Sequence, residues 1–339
     1  MTDQTRPILA IEGLKTHFSG HDGLVRAVDG VDLEVRPGEV LGLVGESGCG
    51  KTVTALSVMR LVDAPGRIVD GAIRFDGRDL LGLSPAEMTA VRGAEIAMIF
   101  QQPKVSLNPV MRVGRQIAEQ FIRRRGMAEA AAWSEAIGLL AAVGIAAPET
   151  KVRAYPHELS GGQAQRVMIA IALALKPKLL IADEPTTALD VTVQAQVLAL
   201  LRERCRALGT SLILVTHDLG VVAQVADRVA VMYAGQVVEQ APVKRLFEMP
   251  AHPYTRGLLG SIPVLGALRP RLVEIPGNVP TLDSVTVGCR FASRCGERIG
   301  AGLARCETEA PPVIARGPGI RVRCWLADPA IAARQRELA

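Results

Sequence analysis

Aromatic side chains are scarce in this chain of 339 residues: six Phe, three Tyr and two Trp make up 3% of it. So few rings offer little surface for stacking bases, which argues against a single-strand nucleic-acid binder. Long apolar runs are also missing. The longest, Val167 to Leu175, stops at Lys176, well short of the roughly 18 residues that signal a membrane-crossing helix. The opening MTDQTRPILAIEGL lacks the basic segment, apolar block and small-residue cleavage site of a secretory leader, so the cytosol is the expected compartment. Charge of one sign does not dominate either. Thirty-nine Lys and Arg stand against 34 Asp and Glu, a formal +5, with no dense basic block, which reads as a solvated basic surface and predicts no nucleic-acid partner.

What is present is apolar and long enough for a full core. Hydrophobic residues make up 49% of the chain, and a length prior of about 150 residues per domain suggests two domains. Short β-like runs alternate with helical stretches: VLGLVG from Val40, LLIAD from Leu179 and SLILVTH from Ser211. That alternation predicts an α/β fold with mostly parallel strands. Asn108 to Ala170, rich in Ala, Arg and Glu, reads as a helical insertion. Beyond Pro242 come Pro250, Pro253, Pro263, Pro270, Pro276 and Pro280, the composition of a smaller, loop-rich C-terminal domain.

The strongest motif is GESGCGKT: Gly45, Glu46, Ser47, Gly48, Cys49, Gly50, Lys51 and Thr52. It sits between an apolar strand and a helix, the context in which such a loop holds phosphate. Glycines let backbone N–H groups curl around phosphate oxygens, and the helix presents its positive end. Lys51 would reach the β- and γ-phosphates of a nucleotide, and Thr52 would hold Mg²⁺. Cys49 is either a small filler or a thiol whose pKa the positive loop lowers.

A second apolar run, LLIADEP, ends in two acids. Asp183 is placed to orient Mg²⁺, and Glu184 to accept a proton from an attacking water. His217 follows the strand SLILV in the same manner, on the sheet edge where α/β ligands bind.

LSGGQ, Leu159 to Gln163, stands just before the helix that leads to LLIADE. With the phosphate loop, Gln101 in IFQQP, TALD and THD, the chain resembles the ATP-binding subunit of an ABC transporter over essentially its whole length. The resemblance implies a P-loop ABC ATPase core at 1–250, with a helical subdomain at about 104–170 and a small cysteine-containing domain at 251–339. It also implies roles: Gln101 as the loop glutamine that contacts Mg²⁺, His217 as the switch histidine at the γ-phosphate, and Asp190 as the inter-subunit loop aspartate. Ser160, Gly161, Gly162 and Gln163 resemble the signature that closes on ATP held by the opposite subunit. Phe18, in THFSG, resembles the aromatic that stacks on adenine, with a core phenylalanine as the alternative.

SLNPVMRVGRQIAEQ and AHPYTRGLL resemble the oligopeptide/dipeptide branch of ABC importers, and GESGCGKTVTALSVMRL the first of its two paired ATPase subunits. The implied assembly is a heterodimer with a second, related ATPase, two transmembrane permeases and an extracytoplasmic solute-binding protein. Its place is the cytoplasmic face of the membrane, as a peripheral subunit. The alternatives are a related nickel or oligosaccharide importer, or a soluble ABC ATPase.

Four of the six cysteines, Cys289, Cys295, Cys306 and Cys324, fall near the C-terminus. In a reducing compartment such a set is metal-binding or inert rather than disulfide-bonded. No C-x₂₋₄-C knuckle of a structural zinc site is present. The pattern resembles that of peptide-importer ATPases, which implies a [4Fe-4S] cluster, with Zn²⁺ or merely packed thiols as alternatives. Its role would be to fold a small segment that has little core.

Overall fold

Runs whose interior side chains are all apolar have no face to offer water, so they form strands covered on both sides. Val40–Val44, Leu179–Asp183 and Ser211–Thr216 are such strands, buried along their whole length. The computed structural model describes residues 6–20, 23–187, 189–262, 274–280 and 287–331, with only the backbone described at 103 and 104. Pro263 and Pro270 lie outside the described residues.

The chain folds as two compact units. The first is built mainly from Gly82–Val215, and the second from Leu9–Glu34, Leu41–Leu81 and the chain from Thr216 onward.

In the first unit, Leu179–Asp183 lies between Ile96–Ile99 and Ser211–Thr216, and both pairings are parallel, with Ile96 opposite Leu179 and Leu179 opposite Ser211. The Ala- and Glu-rich stretch is helical, as expected: Val113–Arg125, Glu129–Ala142 and Gly161–Leu173 are α-helices. They bury Ile117, Phe121, Ala136 and Leu140, the i, i+4 spacing of a core-facing stripe.

The second unit carries an antiparallel sheet in the order Gly23–Val35, Leu9–Gly20, Gly66–Phe75 and Arg78–Asp79. This sheet departs from the mostly parallel expectation. Along Leu9–Gly20, fully buried positions alternate with more exposed ones, the pattern of a sheet with one face on a core and one nearer water, which antiparallel sheets tolerate.

In the same unit Arg228–Tyr233 pairs in parallel with Val40–Val44 and antiparallel with Gln236–Pro242. The strands Arg321–Arg323 and Val313–Ala315 continue that edge. The hairpin between Arg228–Tyr233 and Gln236–Pro242 turns on Ala234 and Gly235, both at positive φ, the geometry that matches strand twist in two-residue turns.

The scarce aromatics are not spread evenly. Tyr233, Tyr254 and Phe291 pack as one cluster with ring centroids 4.6 to 5.5 Å apart, and His252 lies 5.8 Å from Phe291. The two tyrosines are completely buried.

Candidate functional site

The phosphate-loop motif lies in the second unit. The loop Gly45–Gly50 joins the buried strand Val40–Val44 to the helix Lys51–Met59. At Gly50 φ is +105°, and a Cβ there would stand 2.2 Å from the carbonyl oxygen of Ala27; at Gly45 φ is +154°, and a Cβ would stand 2.2 Å from the carbonyl oxygen of Met232. Only glycine fits either position. Lys51 is 5% exposed and folds back over its loop, donating to the carbonyl oxygens of Gly45 at 2.9 Å and Glu46 at 3.0 Å. A buried ammonium over glycine-rich backbone is the chemistry that an incoming phosphate requires.

Cys49 is fully buried, and burial pushes its thiol pKa up while nearby Lys51 pulls the other way. The lowered pKa weighed from the sequence is not found, and Cys49 acts as a small filler.

Two contacts at this loop escaped the sequence reading. The Glu46 carboxylate accepts from both terminal nitrogens of Arg294, Nη1 at 2.8 Å and Nη2 at 3.1 Å. The Glu46 backbone N–H donates to the hydroxyl oxygen of Tyr254 at 2.9 Å. An acid inside a phosphate-binding loop was the available signal, since such a carboxylate requires a cation.

The carboxylate cluster belongs to the first unit. Asp183 ends its strand 3% exposed, and Glu184 follows with φ at +46°, an uncommon conformation for a residue with a side chain. Its backbone N–H donates to the carbonyl oxygen of Val215 at 2.9 Å. Gln101 Nε2 donates to Glu184 Oε2 at 2.7 Å, and Thr187 Oγ1 donates to the same oxygen at 2.9 Å. Two site residues picked from sequence, Gln101 and Glu184, thus meet, and Thr187 joins them without having been foreseen.

The signature starts a helix as its sequence suggests. Ser160 caps Gly161–Leu173, its Oγ accepting from the Gln163 N–H at 3.3 Å while Gln163 Oε1 accepts from the Ser160 N–H at 3.1 Å. This reciprocal box fixes Ser160, Gly161, Gly162 and Gln163 at an amide-rich helix end. Asp190 caps the next helix, Val191–Leu208, with Oδ1 accepting from the Val193 N–H at 2.9 Å.

His217, in the second unit, is exposed directly after its strand. Phe18 is half-buried, with its ring over Gly66, where a Cβ would meet Phe18 Cε1 at 2.4 Å. That contact anchors one side of the ring.

Cys289, Cys295, Cys306 and Cys324 line one cavity together with His252, Phe291 and Trp325. Burial pushes the Cys289 thiol up to about 11 and the Cys324 thiol up to about 12, and the other two are raised from the same cause. Four sulfur donors on one cavity suit a thiolate-ligated metal in donor chemistry, but not in spacing. The cavity is about 10 Å³, the size of one water, and among the described residues no group of three or more His, Cys, Asp or Glu is arranged to hold a metal ion. The iron–sulfur expectation gains no support from this packing.

Residues 28–187 match the ABC transporter family, and residues 238–301 match the oligopeptide/dipeptide transporter C-terminal region. The oligopeptide transport ATP-binding protein AppD of Bacillus subtilis is 50% identical over 94% of this chain and 96% of its own length. The dipeptide transport ATP-binding protein DppD of the same organism is 47% identical over 95% of each chain. Among solved structures, the dimeric ATP-binding cassette MJ0796 bound to ADP and Pi superposes with a TM-score of 0.63 at 26% identity, covering 69% of this chain and 98% of that one.

Proposed function

This chain belongs to the ATP-binding subunits of ABC transporters, and we propose that it is the subunit whose ATP hydrolysis energises import of di- and oligopeptides through a membrane permease. The observation that carries the peptide reading is the match of residues 238–301 to the oligopeptide/dipeptide C-terminal region, the part of the chain outside the general ATPase core. The relatives reported above carry peptide-transport names rather than those of nickel or sugar importers. Among the described residues no helix is long and apolar enough to cross a membrane, which fits a peripheral subunit working through separate permeases. A solute-binding protein and a second, related ATPase complete the proposed assembly.

ATP is the substrate. The loop Gly45–Gly50 and Lys51 hold its phosphates, with Ser47 and Cys49 carrying loop amides to them, while the Glu46 N–H is taken by Tyr254. Hydroxyl and carboxylate oxygens are the donors Mg²⁺ prefers. Thr52 and Asp183 would supply them, with Gln101 beside Asp183's neighbour; the ion would neutralise charge on the phosphates.

Glu184 takes the proton of the water whose oxygen attacks the γ-phosphorus, and the bond to the ADP oxygen breaks. Gln101 and Thr187 both donate to Glu184 Oε2, which fixes the carboxylate's orientation. His217 binds the γ-phosphate, and Phe18 takes the adenine. Ser160, Gly161, Gly162 and Gln163 offer helix-end amides to ATP on the opposite subunit, with Asp190 at that interface. As domains, we assign 1–250 to the ATPase, with helical subdomain 104–170, and 251–339 to the peptide-transporter extension.

For the cysteine set, the proposal rests on the sequence pattern of Cys289, Cys295, Cys306 and Cys324: sulfur ligation of an iron–sulfur cluster or of zinc as a structural element, with no part in the hydrolytic step. The experiment for the main reading tags a Glu184→Gln variant in its native host and extracts it gently with ATP. Recovery of two multi-span permeases with a second ATPase is expected; recovery of ribosomes, repair proteins or nothing refutes the transport reading.

A further inference from the structure

The turn between Cys289 and Cys295 sends two arginines toward the phosphate loop from within the same compact unit. Arg294 ends the 3-10 turn Ala292–Arg294 and is 6% exposed. Besides its paired bonds to Glu46, its Nε donates to the carbonyl oxygen of Pro276 at 2.9 Å, and Nη1 lies 3.4 Å from the Tyr233 hydroxyl. A planar guanidinium held on three sides presents a fixed fork to the carboxylate, the arrangement that makes such pairs strong and directional. Pairing with Glu46 raises the Arg294 pKa, so its charge is permanent.

Arg290 binds the Asp29 carboxylate and the carbonyl oxygen of Ala234. That places it on the Ala234–Gly235 turn, whose Gly235 N–H donates to the carbonyl oxygen of Cys49 at 2.9 Å. The loop is therefore gripped at Glu46 and at Cys49. A third contact comes from Tyr254, whose ring is locked in the aromatic cluster and whose hydroxyl oxygen takes the Glu46 N–H. In an isolated phosphate loop Glu46 would be a liability, a negative charge beside the phosphates.

We propose that Arg294 and Tyr254 are positioning residues for ATP binding: they neutralise and hold Glu46 so that the loop's remaining N–H groups and Lys51 face the phosphates. The inference rests on the reading of Gly45–Thr52 as the nucleotide loop. Affinity for ATP is thereby set by the region beyond residue 250, in which both residues lie.

The test uses the full-length chain and a fluorescent ATP analogue with Mg²⁺, in a cycle of Glu46→Gln, Arg294→Gln and the double variant, with Arg294→Lys and Tyr254→Phe alongside. Arg294→Gln is expected to weaken nucleotide binding by roughly ten-fold or more, with Arg294→Lys recovering only part because it cannot pair with both oxygens. The double variant should bind no worse than the weaker single one, since both act through one contact. Tyr254→Phe keeps the ring packing and loses only the acceptor, so it reports on the loop even where Arg294→Gln does not fold; it should raise KM for ATP more than it lowers kcat. Losses that simply add in the double variant, or Arg294→Lys and Tyr254→Phe binding as tightly as the unmodified chain, overturn this inference alone. An unmodified chain that binds no nucleotide overturns both the inference and the reading beneath it.

Discussion

Replacing Gly50 by alanine tests the phosphate loop most directly, because the structure separates the two costs involved. The first is torsional: φ of +105° lies outside the conformations an alanine adopts readily, a strain of about 1–3 kcal/mol. The second is steric. The added Cβ would sit 2.2 Å from the Ala27 carbonyl oxygen, so the loop and that strand must part by about 1 Å, an overpacking cost of about 1–3 kcal/mol. Together these predict a loss near 4 kcal/mol in urea unfolding of the nucleotide-free, full-length chain. Gly48 is the control. Its φ is +76° and nothing lies within 4 Å of its Cβ position, so Gly48→Ala should cost about 1 kcal/mol. The displaced loop should also bind ATP about a hundred-fold more weakly in Gly50→Ala, the usual consequence of a 1 Å misplacement. Equal destabilisation by the two substitutions would refute the contact with Ala27 as the reason for glycine at position 50.

Asp190→Ala removes the cap of Val191–Leu208 and should cost about 1 kcal/mol in unfolding free energy, whereas Asp190→Asn keeps a capping oxygen and should cost little; loss of ATPase activity in the assembled transporter with Asp190→Asn would then report the interface role rather than helix stability. Iron, sulfide and zinc analysis of anaerobically purified full-length chain should find about one metal centre per chain if the cysteine set ligates one, and metal-free protein of unchanged stability removes that reading.

Much of the site was legible because its parts are contiguous. The phosphate loop needs glycines, lysine and threonine at fixed short spacing between a strand and a helix, and Val40–Val44 and Lys51–Met59 supply that frame. Glu184 and His217 stood out as candidates because each follows a short strand with an apolar interior, and strand ends are where an α/β sheet exposes its side chains. The antiparallel sheet was harder to read. Leu9–Gly20 alternates less cleanly than it folds, with a register shift between Glu12 and Lys15, and a bulge breaks the period of two on which strand recognition depends.

The sequence by itself determined the chemistry. An ATP-type phosphate loop, a strand-end acid pair and a Ser-Gly-Gly helix start are local patterns, and local patterns survive without knowledge of the fold. Tertiary structure alone decided how the loop is held. Glu46 meets Tyr254 across 208 residues and Arg294 across 248; HPYT could be noticed as a stretch, but not that its tyrosine accepts from the loop. The same holds for the cysteines, whose gathering on one small cavity no spacing in the chain prescribes. Contacts of that separation arise from packing, where burial of Tyr233, Tyr254 and Phe291 brings distant segments together and leaves each buried charge to find its partner.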